Sequence, residues 1–241
     1  KMVDAASNEL QGVIASVFSK GDDGRAEQRL AEAQSSMAQL DQSGFPIYAT
    51  REGYVQAVDV EIALMVATRY DLVIRLVRSA GHFVQAGDLI AQASPTASVK
   101  QLAAATIADA YRLGHLRTPS QDLEYGVNQI VEVAIRAMSP AINDPFTTMT
   151  CLDHLGARLS AIAARPLPPS TFYDQGGRLR LITDDHSFPE LLSAAFDILR
   201  RSARENPAVL LAMLAVIEEI GRVAYSDGHR RELNRHAALV K

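Results

Sequence analysis

The first forty residues carry apolar side chains at helical spacing. One set lies within residues 3–18 and a second within residues 25–41, and the polar sequence SKGDDG separates them. The inward positions are Val3, Ala6, Leu10, Val13, Ile14 and Val17 in the first set and Leu30, Ala33, Met37 and Leu40 in the second. Apolar residues three or four positions apart are typical of amphipathic helices. The pattern predicts a helical pair over residues 1–44, which would connect the chain to a region upstream.

The pattern changes at Phe45, where β-branched and aromatic residues become frequent. Short apolar runs such as GYVQAV are bounded by glycines at positions 53, 81 and 87, which is typical of strands joined by tight turns. One short helix, EIALMVATRY, interrupts these strands. We therefore predict a small β-rich subdomain over residues 45–96.

Two sequences in this region, EGYVQAVDV and RSAGHFVQAGDLI, resemble the hammerhead barrels that carry biotin or lipoate. Those carriers display a modifiable lysine at a hairpin tip. The four lysines of this chain all lie outside residues 45–96, at Lys1, Lys20, Lys100 and Lys241. Covalent carriage is therefore excluded, and the expected fold is a hammerhead-like barrel or sandwich with a structural or docking role.

Helical periodicity dominates residues 97–241. Apolar residues recur at helical spacing over 98–113, and residues 119–138 and 145–163 predict two further helices. The sequence STFYDQGGRLRLIT predicts a β-hairpin near residues 171–183, with DQGG as its turn. Three more helices are expected, at about 188–204, 207–225 and 228–239. The predicted fold class is thus α+β and mainly α, with a helical subdomain and one hairpin in this segment.

Several polar residues stand at positions typical of helix caps. The capping-box pairs are Thr118 with Gln121, Ser98 with Gln101 and Ser187 with Glu190, and a proline follows both Asn206 and Asp144. A cap of this kind contributes about 1 kcal/mol to stability. Asp144 and Pro145 therefore need no catalytic role.

Composition limits the class of protein. The 241 residues carry a net charge of -4, which disfavours binding to nucleic acid. The single cysteine, Cys151, excludes an internal disulfide and fits a reducing compartment. The longest apolar run, PAVLLAMLAVI, is shorter than the roughly 18 residues that a membrane span requires, and no signal peptide is visible. We therefore expect this chain itself to be soluble.

Known catalytic and metal-binding patterns are missing from the sequence. No Walker, dinucleotide-binding or nucleophile-elbow motif occurs, and no pair of histidines has the spacing of a metal site. Cys151 and His154 lie three residues apart, as in a nucleophile and its base, but a buried cysteine is the more common arrangement. No catalytic residue, metal or cofactor is therefore expected.

The densest group of polar residues lies in HLRTPSQDLEYG, at positions 115–126. Arg117 stands at an expected helix start, where anions bind, so it would pair with a carboxylate or with a bound anion. Asp122, Glu124 and Asp144 are the candidate carboxylates, in the same subunit or in a second one. A hydrolase that uses His115, Asp122 and Glu124 is a further alternative.

The sequences GYVQAVD, GHFVQAGDLIA and RTPSQDLEYGVNQIVEVAIRAMSPAINDPFTTMTCLDHL resemble bacterial predicted membrane proteins, known as domain of unknown function 2254. The resemblance covers most of residues 6–241. Its motif positions are Arg117, Thr118, Gln121, Asp122, Glu124, Tyr125 and Gly126 in the first set and Ser139, Pro140, Asn143, Asp144, Pro145, Phe146 and Thr147 in the second. It implies several transmembrane helices upstream of Lys1 and makes this chain the soluble C-terminal part.

The resemblance carries no established activity, so function stays a hypothesis. The first hypothesis is a non-enzymatic cytoplasmic domain of a bacterial inner-membrane protein, which forms a homo-oligomer and regulates or gates the membrane part. The second is a sensor of a small anion or nucleotide, bound at residues 118–122 by Arg117. Candidates for ligand binding or for the subunit interface are Arg117, Thr118, Gln121, Asp122, Glu124, Tyr125, Asn143 and Asp144.

Overall fold

A computed structural model of the protein describes residues 1–17, 26–165, 170–184 and 187–240. These residues form nine α-helices and eight β-strands. The helices are α1 (Met2–Val17), α2 (Ala26–Ser43), α3 (Val60–Arg69), α4 (Gln101–Asp109), α5 (Leu123–Ala137), α6 (Pro145–Ala163), α7 (Phe188–Ser202), α8 (Pro207–Val223) and α9 (Asp227–Val240). The strands are β1 (Phe45–Tyr48), β2 (Gly53–Val58), β3 (Val73–Leu76), β4 (Phe83–Val84), β5 (Leu89–Ser94), β6 (Tyr111–Gly114), β7 (Thr171–Tyr173) and β8 (Leu179–Thr183).

Contacts divide the described chain into two units that are interleaved in sequence. The helical unit contains α1 and α5–α9, and the mixed unit contains α2–α4 with all eight of these strands. Helices α1 and α2, which the sequence pattern joins in one segment over residues 1–44, therefore belong to different units. A connector role for that segment stays a prediction.

The helical unit is built around α5 and α6. Helix α5 packs against α1, α6 and α7, and α6 packs against α1 and α8 as well. The side chains between them are fully buried, as at Leu10, Ile130, Leu155 and Phe196. Their spacing along each helix explains why the amphipathic pattern located these helices. In the described ranges, no helix combines the length and the apolarity that crossing a membrane requires.

The mixed unit contains two sheets. The larger sheet has the strand order β1-β5-β3-β8-β7, in which β3 and β8 run parallel and the other neighbours run antiparallel. The smaller sheet has the order β4-β2-β6 and is antiparallel. Val55, Leu72, Ile74, Ile107 and Leu181 are buried in the core of this unit.

The predicted fold class, α+β and mainly α, is confirmed, and so is the hairpin of β7 and β8. The described strands do not close into a barrel. The reason lies in the pairing, because the hairpin extends the larger sheet through β8 and β3, while β2 forms a separate sheet with β4 and β6. No short-range sequence signal reports such a contact between strands a hundred residues apart.

Two of the predicted capping boxes are wrong. Helix α5 begins after Asp122 rather than after Thr118. Helix α4 begins after Lys100, which makes no side-chain cap, and Ser98 lies in a short 3-10 helix. The helix predicted over 98–113 also ends early, because Tyr111–Gly114 pairs with β2 as a strand. The caps at Ser187, Asn206 and Asp144 are confirmed.

Candidate functional site

The first motif, residues 117–126, crosses the boundary between the two units. Arg117, Thr118 and Gln121 belong to the mixed unit, whereas Asp122, Glu124 and Tyr125 belong to the helical unit. Each half is therefore built by its own unit. The expected pairing of Arg117 with an acidic residue of the motifs stays a prediction.

In the mixed unit, Gln121 acts as an extension of the sheet. Its Oε1 accepts the N–H of Val58 at 3.0 Å, and its Nε2 lies 3.4 Å from the Val58 carbonyl oxygen. A side-chain amide that pairs with both polar groups of one residue replaces a neighbouring strand. The Gln121 amide therefore anchors the end of β2.

The Thr118 side chain is in a different situation. Its Oγ1 is buried, and within the described part of the chain it has no hydrogen-bond partner. A buried hydroxyl without a partner costs free energy, so such an atom is a candidate contact for a water or a ligand. This observation supports a polar occupant near Thr118.

In the helical unit, Asp122 is the N-cap of α5. Its side chain is fully buried and accepts the N–H of Tyr125 at 2.8 Å. Glu124 accepts a hydrogen bond from the amide of Asn128 at 3.3 Å, one turn further along the helix. A buried cap carboxylate has no access to a substrate, so a hydrolase would lack one of its proposed carboxylates.

The glycine that ends the first motif, Gly126, has a packing role. A Cβ placed at this position would lie 2.8 Å from Cδ1 of Leu10, which is buried in α1. Only a residue without a side chain allows α1 to approach α5 this closely. The motif glycine is therefore a packing position between two helices.

The second motif forms the turn between α5 and α6. Asn143 has a φ of 45°, in the left-handed region that asparagine tolerates better than most residues. Its N–H donates to the Ser139 carbonyl at 2.8 Å, and the N–H of Asp144 donates to the Ala137 carbonyl at 2.7 Å. The left-handed backbone of Asn143 and these two hydrogen bonds define the turn between α5 and α6.

Asp144 caps α6 with two hydrogen bonds from one residue. The Thr147 hydroxyl donates to Oδ2 at 2.5 Å, and the Thr147 N–H donates to Oδ1 at 3.1 Å. These bonds, led by the one from the hydroxyl, hold the pKa of Asp144 below its ordinary value. The carboxylate is therefore a stable structural anion at neutral pH.

The same turn presents two large apolar side chains to solvent. Ile142 is 60% exposed and Phe146 is 76% exposed, although the second belongs to the motif. Caps and turn geometry account for Asn143 and Asp144 but give no reason for Phe146. Its exposure makes this turn a candidate contact surface.

The two motif ends within the helical unit are far apart. Asp122 precedes α5, while the turn at 139–144 follows it, and the helix has 15 residues. At 1.5 Å per residue, this separates them by about 22 Å within one chain. The geometry therefore provides two separate surfaces in one subunit.

The cysteine of the chain does not provide a nucleophile. Cys151 is fully buried, and burial raises the pKa of its thiol to about 11. His154 instead lies 3.4 Å from Asp4 of α1. Among the described residues, no three side chains of the metal-ligating types are grouped closely enough to hold a metal ion.

Sequence reasoning missed an arginine–aspartate cluster in the mixed unit. Arg180 is 3% exposed, and its guanidinium lies 2.8 Å from Asp174 and 2.7 Å from Asp71. Arg178 contacts the same two aspartates at the surface. The signal was available, because the two arginines stand two positions apart at the start of β8, a spacing that places side chains on one face of a hairpin.

Comparison with known proteins gives relatives but no solved structure. No experimental structure matches the chain significantly. An uncharacterised protein of Mycobacterium bovis, Mb1321c, is 32% identical over 205 residues, which is 81% of this chain and 38% of that protein. The uncharacterised Mycobacterium tuberculosis protein Rv1290c matches with the same identity and the same coverage. The match thus spans well under half the length of these relatives.

A family model described as "Predicted membrane protein (DUF2254)" matches residues 1–219, which include both motifs. The resemblance inferred from the motif sequences is thereby confirmed. The family description gives no activity, substrate or partner. This chain belongs to the DUF2254 family of predicted membrane proteins.

Proposed function

We propose that this chain is a membrane-extrinsic, non-enzymatic part of a bacterial inner-membrane protein, which lies in the cytoplasm, self-associates and regulates the membrane part. The family description supports the membrane association. The greater length of the mycobacterial relatives leaves room for a membrane-embedded region. The gating role and the subunit contact rest on the arguments below.

The main support for the proposal comes from the turn that contains the second motif, where polar and apolar side chains have different roles. The polar residues Asn143 and Asp144 build the turn and the cap, whereas the apolar residues Ile142 and Phe146 remain exposed. A surface with apolar side chains on a rigid, capped turn suits contact with another protein surface. A second copy of this chain is the proposed occupant.

Helix α1 provides a route from the membrane part to this surface. Leu10 and Ile14 of α1 are buried against the core of the helical unit, and Leu10 packs directly over Gly126. Arg158 of α6 donates to the Ser7 hydroxyl of α1 at 2.8 Å. In the proposal, a displacement of the preceding membrane segment moves α1 and, through α5 and α6, the turn between them.

The self-association is tested by substituting two exposed apolar residues, one in the proposed interface and one outside it. We predict that the 241-residue chain forms an oligomer and that Phe146→Ser lowers its mass in light scattering toward the monomer value of 26.1 kDa. The matched control is Leu211→Ser, because Leu211 is 66% exposed on α8 and lies outside both motifs. A monomeric wild-type chain, or an unchanged mass for Phe146→Ser, contradicts the proposed interface.

A sensor of a small anion or nucleotide is the second candidate, and the buried Oγ1 of Thr118 favours it. The N-terminus of α5 itself offers less to an anion than the sequence suggested, since the Asp122 carboxylate already accepts the N–H of Tyr125. Thermal stabilisation by phosphate or a nucleotide that disappears in Arg117→Ala and in Thr118→Val would establish this candidate.

A further inference from the structure

The mixed unit contains an open cavity of about 350 Å³. It lies where α4 ends and β6 begins, and the segment after β1 forms one of its walls. Small-molecule sites in proteins measure about 300–1,000 Å³, so the cavity has room for a small metabolite. None of the motif residues lines it.

Two arginines give the cavity a positive rim. Arg51 and Arg112 both line it, and neither forms an ion pair with any residue in the described ranges. A hydrogen bond of 2.8 Å from Arg51 to the carbonyl oxygen of Leu113 fixes the position of one guanidinium. The remaining N–H groups of a guanidinium form a fork that matches a carboxylate or phosphate.

Part of the cavity lining is buried and offers no reactive group. Ile90 contributes to it, together with Tyr111, which is only 4% exposed. The Tyr111 hydroxyl donates to the Ile90 carbonyl at 2.6 Å, and burial raises the pKa of this phenol well above its ordinary value. Tyr111 therefore stays neutral and has a structural role in the cavity wall.

One acidic residue limits the kinds of ligand that the cavity can bind. Asp109 lines the cavity as the last residue of α4, where the carbonyl end of the helix adds partial negative charge. A purely anionic ligand would be repelled on this side. A hydroxyl or ammonium group would instead donate to the Asp109 carboxylate.

We propose that this cavity binds a small molecule with a carboxylate or phosphate group held by Arg51 and Arg112 and a hydroxyl or ammonium group directed to Asp109. The site is separate from the residues at 117–126. It gives the chain a place for a soluble ligand whether or not the chain self-associates.

The test is a titration followed by amide chemical shifts of the isotope-labelled 241-residue chain. The probes are O-phosphoserine, which carries a phosphate, a carboxylate and an ammonium group, serine, which has a free hydroxyl in place of the phosphate, and inorganic phosphate. We predict that O-phosphoserine shifts the amides of Gln56, Asp109 and Leu113 and binds more tightly than inorganic phosphate. Comparison with serine shows whether the phosphate or the carboxylate is recognised.

The variants Arg51→Gln and Arg112→Gln should each weaken this binding by about 10- to 100-fold, the effect of one charge-assisted hydrogen bond. Both side chains are exposed, so the fold should persist. The matched control is Arg69→Gln, an exposed arginine of the same unit that does not line the cavity. The proposal is wrong if no probe shifts the lining amides, if both variants bind like the wild type, or if only Arg117→Ala abolishes binding.

Discussion

At the scale of single residues, the motifs combine caps, turn residues and one packing glycine. Asp122 and Asp144 each accept a backbone N–H at a helix start, which contributes about 1 kcal/mol per cap. Asn143 tolerates a left-handed backbone, and Gly126 allows two helices to meet. These roles explain why carboxylates and amides stand at helix ends without assigning them to a reaction.

A second feature at the scale of single residues is the pH dependence of the stability that the Arg180 cluster contributes. The Arg178 backbone N–H and the Arg180 side chain lower the pKa of Asp174 to about 2. A carboxylate with a lowered pKa in the folded state contributes stability above its ordinary pKa of about 3.9, and this contribution is lost as the pH falls toward the folded value.

We therefore predict that Asp174→Asn is less stable than the wild type at neutral pH and that the difference shrinks between about pH 4 and pH 2. Urea unfolding of both proteins at a series of pH values measures the difference in their free energies of unfolding. A difference that stays constant over that interval would show that Asp174 titrates alike in the folded and unfolded chains.

At the scale of elements, α1 is part of the helical core. The amphipathic pattern predicted α1 because its apolar face is continuous from Val3 to Ile14. The pattern could not show which helix covers that face, since this depends on a contact with residues more than a hundred positions later. The parallel pairing of β3 with β8 was unpredictable for the same reason.

Replacement of Gly126 tests the contact of α1 with α5. Gly126→Val should destabilise the chain by about 1–3 kcal/mol, because the new side chain would overlap Leu10. For a chain of this size the thermal midpoint falls by roughly 2–4 °C per kcal/mol.

The control for this substitution is Gly12→Ala in α1, where a Cβ would meet nothing within 4 Å. This change should stabilise the chain by about 0.5–1 kcal/mol, because alanine favours the helix more than glycine does. Equal effects of the two substitutions would mean that α1 does not pack closely over Gly126.

At the scale of the whole molecule, the chain belongs to a family of predicted membrane proteins, while its described helices do not meet the requirements of a membrane span. The motif sequences were sufficient to identify the family. The cavity with Arg51 and Arg112 was not predictable, because the segment after β1 and residues of β2, β5, α4 and β6 meet only in the folded mixed unit. The central claim is that this chain lies in the cytoplasm beside a membrane-embedded part.

Labelling with a membrane-impermeant maleimide tests that claim most directly. Cys151 is buried and the pKa of its thiol is raised, so it should not react with the maleimide. The side chain of Glu205 is 87% exposed, so the substitution Glu205→Cys introduces an accessible reporter thiol. The variant is made in the full-length protein in bacterial cells, and the unsubstituted protein gives the background. The account predicts membrane-bound protein that is labelled only after permeabilisation; labelling of intact cells, or recovery without the membrane, would contradict it.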